Sequence, residues 1–174
     1  ELKRMKILVV SDNHGDRDCL VDLVNHYEGQ VDALFHCGDS ELEPTDELWQ
    51  KFIVVQGNCD FYDEFPKTVT KKVGDQVIYM THGHLANVRM GLTTLALQAE
   101  EAGATIALFG HTHVLGAERH NNILFVNPGS IRLPRGPVQE KTYAIIESTP
   151  EQYLVQYYNK EHQPLERLKA TFTK

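Results

Sequence analysis

Apolar residues in this chain come in short unbroken runs, and most runs break off at glycine, histidine, aspartate or asparagine. Ile7 to Val10 ends in Ser11-Asp12-Asn13-His14-Gly15. Val31 to Phe35 ends in His36-Cys37-Gly38-Asp39, and Phe52 to Val55 ends in Gln56-Gly57-Asn58. Runs of this length bounded by turn residues read as core strands. Between them, Asp16 is placed to cap a helix running to about Tyr27, and a short helix fits Thr45 to Lys51.

The rhythm then changes. Lys67 to Val73 and Gln76 to Thr81 flank the turn pair Gly74-Asp75, which predicts a hairpin whose second strand ends in His82-Gly83-His84. A helix fits Arg89 to Ala102, and the run Ile106 to Phe109 ends in Gly110-His111-Thr112-His113. Ala117 to His120 and Ile123 to Val126 flank Asn121-Asn122, a second hairpin that ends in Asn127-Pro128-Gly129-Ser130. Thr142 to Glu147 and Tyr153 to Tyr158 predict a last strand pair, and the polar residues after Lys160 predict no element. A βαβ rhythm followed by a hairpin rhythm predicts a mixed α/β domain with two packed sheets.

Composition narrows the class. A chain of 174 residues suits one domain, taken as 1–174. The formal net charge of −7 argues against a general nucleic-acid binder but not against phosphate chemistry, because bound cations reverse the local field. No apolar run approaches the roughly 20 residues of a membrane span, and the N-terminus is too quickly polar for a signal peptide. The cytoplasm is therefore the expected location, and residues 1–4 read as an expression remnant ahead of the apolar run that Met5 opens. Cys19, Cys37 and Cys59 form no CxxC pair and are expected to be free thiols.

Five strand-like runs end in metal-capable residues: Asp12 with His14, Asp39, Asn58, His82, and His111 with His113. Ligands of open α/β sheets bind beyond the carboxyl ends of the strands, so these residues are expected to converge on one rim. Asp12 and His14 are two apart, as are His111 and His113, and in extended chain such residues point the same way. Each pair can then face one ion or straddle two. Carboxylates, imidazoles and one amide suit manganese, iron, cobalt, nickel or zinc better than calcium or magnesium. Any one piece could be an ordinary turn; all five in order favour a site. GxSxG, Walker A and GxGxxG motifs are absent.

Asp12-Asn13-His14, Gly38-Asp39, Gly57-Asn58, His82-Gly83-His84 and Gly110-His111-Thr112-His113 resemble the motifs of calcineurin-like metallophosphoesterases over roughly residues 5 to 130. Gly57-Asn58-Cys59-Asp60 and the short length are most similar to the small bacterial and archaeal phosphodiesterase branch, which itself resembles the retromer subunit vacuolar sorting protein 29. The resemblance implies an αββα sandwich and two divalent transition metals, manganese first, with nickel, cobalt, iron or zinc as alternatives. It implies one ion on Asp12, His14, Asp39 and His113, and the other on Asp39, Asn58, His82 and His111, with Asp39 bridging.

Two such ions can hold a hydroxide that attacks a phosphate diester in line with the leaving oxygen. The expected partner is therefore a small phosphate ester; the sequence leaves a homo-oligomer open. A phosphomonoesterase, or a metal-binding scaffold like the retromer subunit, is the alternative. Many members of the family carry histidine where this chain has Cys59, and a thiol replaces imidazole poorly as a donor. His84, two residues past His82, becomes the candidate acid, with a supporting rim histidine as the other reading. Asn58 is placed for catalysis and, with Cys59 and Arg132, for substrate contact; Arg132 and Arg135 otherwise read as a solvated loop. Asp60 reads as a structural cap and Cys37 as packing. His26, His36, His120 and His162 show no partners at useful spacing.

Overall fold

The computed structural model describes residues 4–174; most of the expected remnant, residues 1–3, lies outside the described residues. Two mixed sheets face each other. In the first, β1 (Met5–Val10), β2 (Ala33–His36) and β3 (Phe52–Val54) run parallel. β9 (Thr142–Ser148), β10 (Gln152–Asn159) and β11 (Pro164–Thr173) extend that sheet antiparallel from the other side of β1. The order across it is β11-β10-β9-β1-β2-β3. The second sheet has the order β4-β5-β6-β8-β7, from β4 (Thr68–Val73), β5 (Gln76–Thr81), β6 (Ile106–Leu108), β7 (Gly116–His120) and β8 (Ile123–Asn127).

Alternation along each run builds the layers. In β1, Ile7 and Val9 point between the sheets while Leu8 and Val10 point outwards. Ile78 and Met80, Ile106 and Leu108, and Leu124 and Val126 meet them from the second sheet. The outward set, Leu8, Val10, Leu34 and Ile145, is covered by Leu20, Leu23 and Val24 of α1 (Arg17–Tyr27). On the opposite outer face, Leu95 and Ala99 of α2 (Thr93–Glu101) cover Ala107, Phe109 and Phe125. Strands buried on both faces explain why the runs are continuous rather than alternating with polar residues. The layering is the αββα sandwich that the motifs imply.

Two expectations are corrected. α2 starts at Thr93 rather than Arg89: Gly83 to Gly91 fold into successive tight turns, and Gly91 adopts φ +136°, which interrupts a helix. The tail after Lys160 forms β11, an edge strand in which Leu168, Ala170 and Phe172 are the half-buried positions and their neighbours are exposed. That is a period of two in a segment too polar to register as an apolar run. A register shift between Gln156 and Tyr158 would strand backbone acceptors there, and the Gln156 amide donates to the Leu165 carbonyl at 3.0 Å.

Candidate metal centre

The carboxyl ends of β1, β2 and β3 from one sheet, and of β5 and β6 from the other, open onto the same rim. Asp12 and His14 follow β1, Asp39 follows β2, Asn58 follows β3, His82 follows β5, and His111 and His113 follow β6. All seven come together. The His82 Nε2 atom lies 3.2 Å from Asp39 Oδ2 and 3.0 Å from Asn58 Oδ1, which is also 3.0 Å from His111 Nδ1. The His113 Nε2 atom lies 3.2 Å from Asp12 Oδ1 and 3.2 Å from His14 Nε2. Asp39 Oδ2 sits between the two halves, 3.9 Å from His14 Nε2.

The route to this arrangement is not the expected one. Asp12, His14, Asp39, His111 and His113 all have positive φ, between 40° and 72°. The paired candidate ligands are therefore not in extended chain, and their convergence comes from left-handed turns that cost energy at non-glycine residues. Two glycines make the close approach possible. A Cβ on Gly57 would lie 2.1 Å from Asp39 Oδ1, and one on Gly110 would lie 2.2 Å from Ser11 Oγ.

The surrounding polar groups leave the inward-facing atoms free. The imidazole of His82 has Nδ1 2.7 Å from the Cys37 carbonyl, and His113 has Nδ1 2.7 Å from the Leu133 carbonyl. An Nδ1–H donated to a carbonyl leaves the Nε2 lone pair for an ion. The His14 Nδ1 atom is 2.6 Å from Glu41 Oε1, which orients that ring in the same way. Asp39 Oδ1 accepts from the Cys59 backbone N–H at 2.8 Å. Asp12 Oδ2 accepts from the Ser11 hydroxyl and from the His111 N–H, whereas Asp12 Oδ1 is buried with no hydrogen-bond donor. A buried carboxylate oxygen without a donor, ringed by imidazole nitrogens, is what a cation would satisfy. The residues present fit divalent ions.

Electrostatics point the same way. Burial pushes the Asp12 carboxyl up, but His113, His14 and His82 more than offset this and hold it well below the usual range. The Asp12 carboxylate 3.6 Å away and, less strongly, Glu41 raise His14 to about 9 despite partial burial. Burial opposes a charge on His82, yet Asp39 and Asp12 raise its pKa. His111, facing positive His82 and Arg89, is pushed down to about 4, chiefly by burial. Burial and Asp39 push the Cys59 thiol up to about 11.

The remaining candidates fall at the margin. His84 has its ring centre 5.5 Å from that of His82 and 6.0 Å from that of His111, and its buried Nδ1 has no partner. Cys59 is exposed, with Sγ 3.5 Å from Asn58 Nδ2. Arg132 donates to the His14 carbonyl, while Arg135 meets the centre only through its backbone N–H to the His113 carbonyl. Asp60 caps the loops, accepting from the N–H groups of Asp39, Glu41 and Gly57. Cys37 is buried between the sheets. Sequence reasoning missed Glu41 and Ser11. Asn127 braces the rim, its amide donating to the Gly110 carbonyl and to Thr112 Oγ1. Sequence reasoning also missed partners for His36, which is bonded to Asn13, and for His162, which is bonded to Tyr143 and Asp22. His120 lies 3.1 Å from Glu118, and His26 stacks on His162 at 3.9 Å.

A two-sheet sandwich with a histidine–carboxylate cluster at one rim defines a class, and residues 5–151 match the calcineurin-like phosphoesterase superfamily domain. The chain belongs to that superfamily, whose members are metal-dependent phosphoesterases. It is 38% identical over 169 residues to the probable metallophosphoesterase YsnB of Bacillus subtilis, covering 97% of this chain and 99% of that one. It is 32% identical over 133 residues to the phosphodiesterase YfcE of Escherichia coli K12, covering 71% and 61%. A crystal structure of a predicted phosphoesterase from Streptococcus pneumoniae TIGR4 superposes with a TM-score of 0.96 at 39% identity, over 98% of both chains. The fold alone is shared with Vacuolar Protein Sorting 29 of Cryptosporidium parvum, at a TM-score of 0.79 and 17% identity over 99% and 100% of the chains.

Proposed function

We propose that this chain is a two-metal phosphodiesterase. The observation that carries the reading is Asp12 Oδ1, buried without a donor and facing imidazole nitrogens. Asp12, His14, Asp39 and His113 would hold one ion; Asp39, Asn58, His82 and His111 would hold the other. Manganese is the expected pair. When bound, such ions polarise a phosphoryl oxygen and acidify water. Two dications carry about +4, and Asp12 with Asp39 removes two units, which leaves a positive site for a phosphate anion in an acidic chain.

The protein groups then have separate tasks. Asn58, its Oδ1 shared between His82 and His111, presents its amide N–H₂ towards Cys59 and the approaching phosphate. Arg132, tied to the His14 carbonyl, adds positive charge beside the Asp12–His14 loop. His84, its ring beside those of His82 and His111 at the rim, would protonate the leaving oxygen. The residual positive charge and the branch that Gly57-Asn58-Cys59-Asp60 resembles favour a diester, and Cys59 in place of a stronger acid implies weaker turnover of poor leaving groups. The name borne by the Escherichia coli relative accords with this. A complete ligand set argues against a scaffold role.

The test is turnover of a diester and a monoester with the same good leaving group by metal-stripped protein, after restoring manganese, cobalt, nickel, zinc or magnesium. Diester turnover should return with a transition metal. It should fall about 100-fold or more in His82→Ala and His111→Ala. Faster monoester than diester turnover would replace the diesterase reading. No turnover with any metal in folded, metal-loaded protein would overturn the enzyme.

A further inference from the structure

We propose that Cys59 is a sulfur donor to the ion held by His14 and Asp39, so that the centre distinguishes thiophilic from hard cations. The inference rests on the two-metal reading above.

Its geometry adds one residue, Cys59, to the seven assigned there. One donor atom each from His14, Asp39 and Cys59 lies within 4.8 Å of the others. An ion with bonds of about 2.0–2.3 Å holds neighbouring donors roughly 3–4 Å apart, so turning the cysteine side chain would bring its sulfur in as a fifth donor beside Asp12, His14, Asp39 and His113. The cysteine backbone is already fixed beside the shared carboxylate, because its N–H donates to Asp39 Oδ1. Asp60 pins the loop on either side through the N–H groups of Gly57 and Asp39. The thiol itself gives up little on turning, since its sulfur accepts only a weak 3.5 Å bond from Asn58 Nδ2.

A second observation points to a cation at the same place. Asp12 Oδ1, fully buried and without a donor, lies 3.6 Å from the same His14 Nε2. The other cysteines have no such position: Cys37 is packed between the sheets, and Cys19 lies on the buried face of α1.

The chemistry is one of exchange. The S–H proton passes to solvent as the sulfur–metal bond forms, with no change of oxidation state. Thiolate sulfur prefers zinc, cobalt or cadmium over manganese or magnesium. A soft ion therefore gains a ligand from Cys59, whereas manganese leaves the sulfur free and that coordination position open to a phosphoryl oxygen.

The full chain, stripped of metal, is titrated with cobalt(II) and separately with manganese(II), alongside Cys59→Ser. Cobalt should give visible ligand-field bands together with a near-ultraviolet sulfur-to-cobalt charge-transfer band. Cys59→Ser should keep the ligand-field bands, lose the charge-transfer band and bind cobalt about 10-fold more weakly, with manganese affinity within about two-fold of the parent. Cobalt bound without a charge-transfer band, or a band that survives in Cys59→Ser, overturns the sulfur donor and leaves the metal centre standing. Failure of the parent chain to bind either ion overturns both readings. Circular dichroism establishes that the variant is folded, and the exposed position of Cys59 makes the substitution mild.

Discussion

His36 shows how much of this site is arranged by a residue that never faces it. The ring is fully buried, with Nε2 2.7 Å from Asn13 Oδ1 and Nδ1 accepting from the Gly38 N–H at 3.0 Å. It thereby ties the loop after β1 to the loop after β2, the two that carry Asp12, His14 and Asp39. A ring that must accept at Nδ1 and donate at Nε2 is neutral, and burial pushes its pKa down to about 4. The unfolded chain takes up the proton near pH 6.5, before the folded one does. His36 therefore carries no penalty above pH 6.5, and its cost grows as the pH falls from there to about 4, reaching on the order of 3 kcal/mol. In chemical denaturation of metal-free protein, the stability of the parent relative to His36→Gln should decline over that window. Parallel stability curves from pH 7.5 to pH 4.5 would show the ring does not titrate this way. Nothing near His36 in the chain signals this role, because Asn13 is 23 positions away.

At the scale of elements, a polar relay crosses the outer layer. The Tyr27 hydroxyl of α1 lies 2.6 Å from that of Tyr143 in β9, which lies 2.7 Å from His162 Nδ1, whose Nε2 is 2.8 Å from Asp22. The relay fastens the helix to the first sheet and to the turn between β10 and β11. Tyr143→Phe leaves the Tyr27 hydroxyl without its buried partner and should cost about 1–3 kcal/mol. The expected result is a lower denaturant midpoint at unchanged slope, with metal affinity untouched. An unaltered midpoint would show that the helix is held by packing alone. The runs from Ile7, Phe52 and Ile106 were legible as strands because burial on both faces leaves no polar interruption. β11 was not, because an edge strand buries only alternate, modest side chains. The candidate ligands were legible by type and by their place after strands. Their backbone was not: a positive φ at Asp12 or His113 is imposed by tertiary closure and leaves no mark in composition.

For the molecule as a whole, the rim is one place where the two sheets meet through polar groups rather than apolar contact. Asp12, His14, Asp39 and Asn58 come from one sheet, and His82, His111 and His113 from the other. Among the described residues no helix is long and apolar enough to cross a membrane. At the far edge of the sandwich, Arg119 of β7 reaches the carbonyl of Thr173 in β11. Cations that bind only the folded chain stabilise it by mass action, about 2.7 kcal/mol at a hundred times the dissociation constant.

Because the candidate ligands are divided between the sheets, an ion bound by them would also be a mechanical fastener. Metal–ligand bonds would lie across the seam along which the sandwich parts under load, acting as a rivet where oil-like contacts merely slide. Pulling the layers apart through handles at Glu47, beside the first sheet, and Leu97, on the helix covering the second, should need markedly more force in manganese than in chelator. The difference should shrink in His113→Ala. Equal rupture forces with and without metal would mean that the seam opens elsewhere first, and that the ions ride on one sheet rather than clamp two.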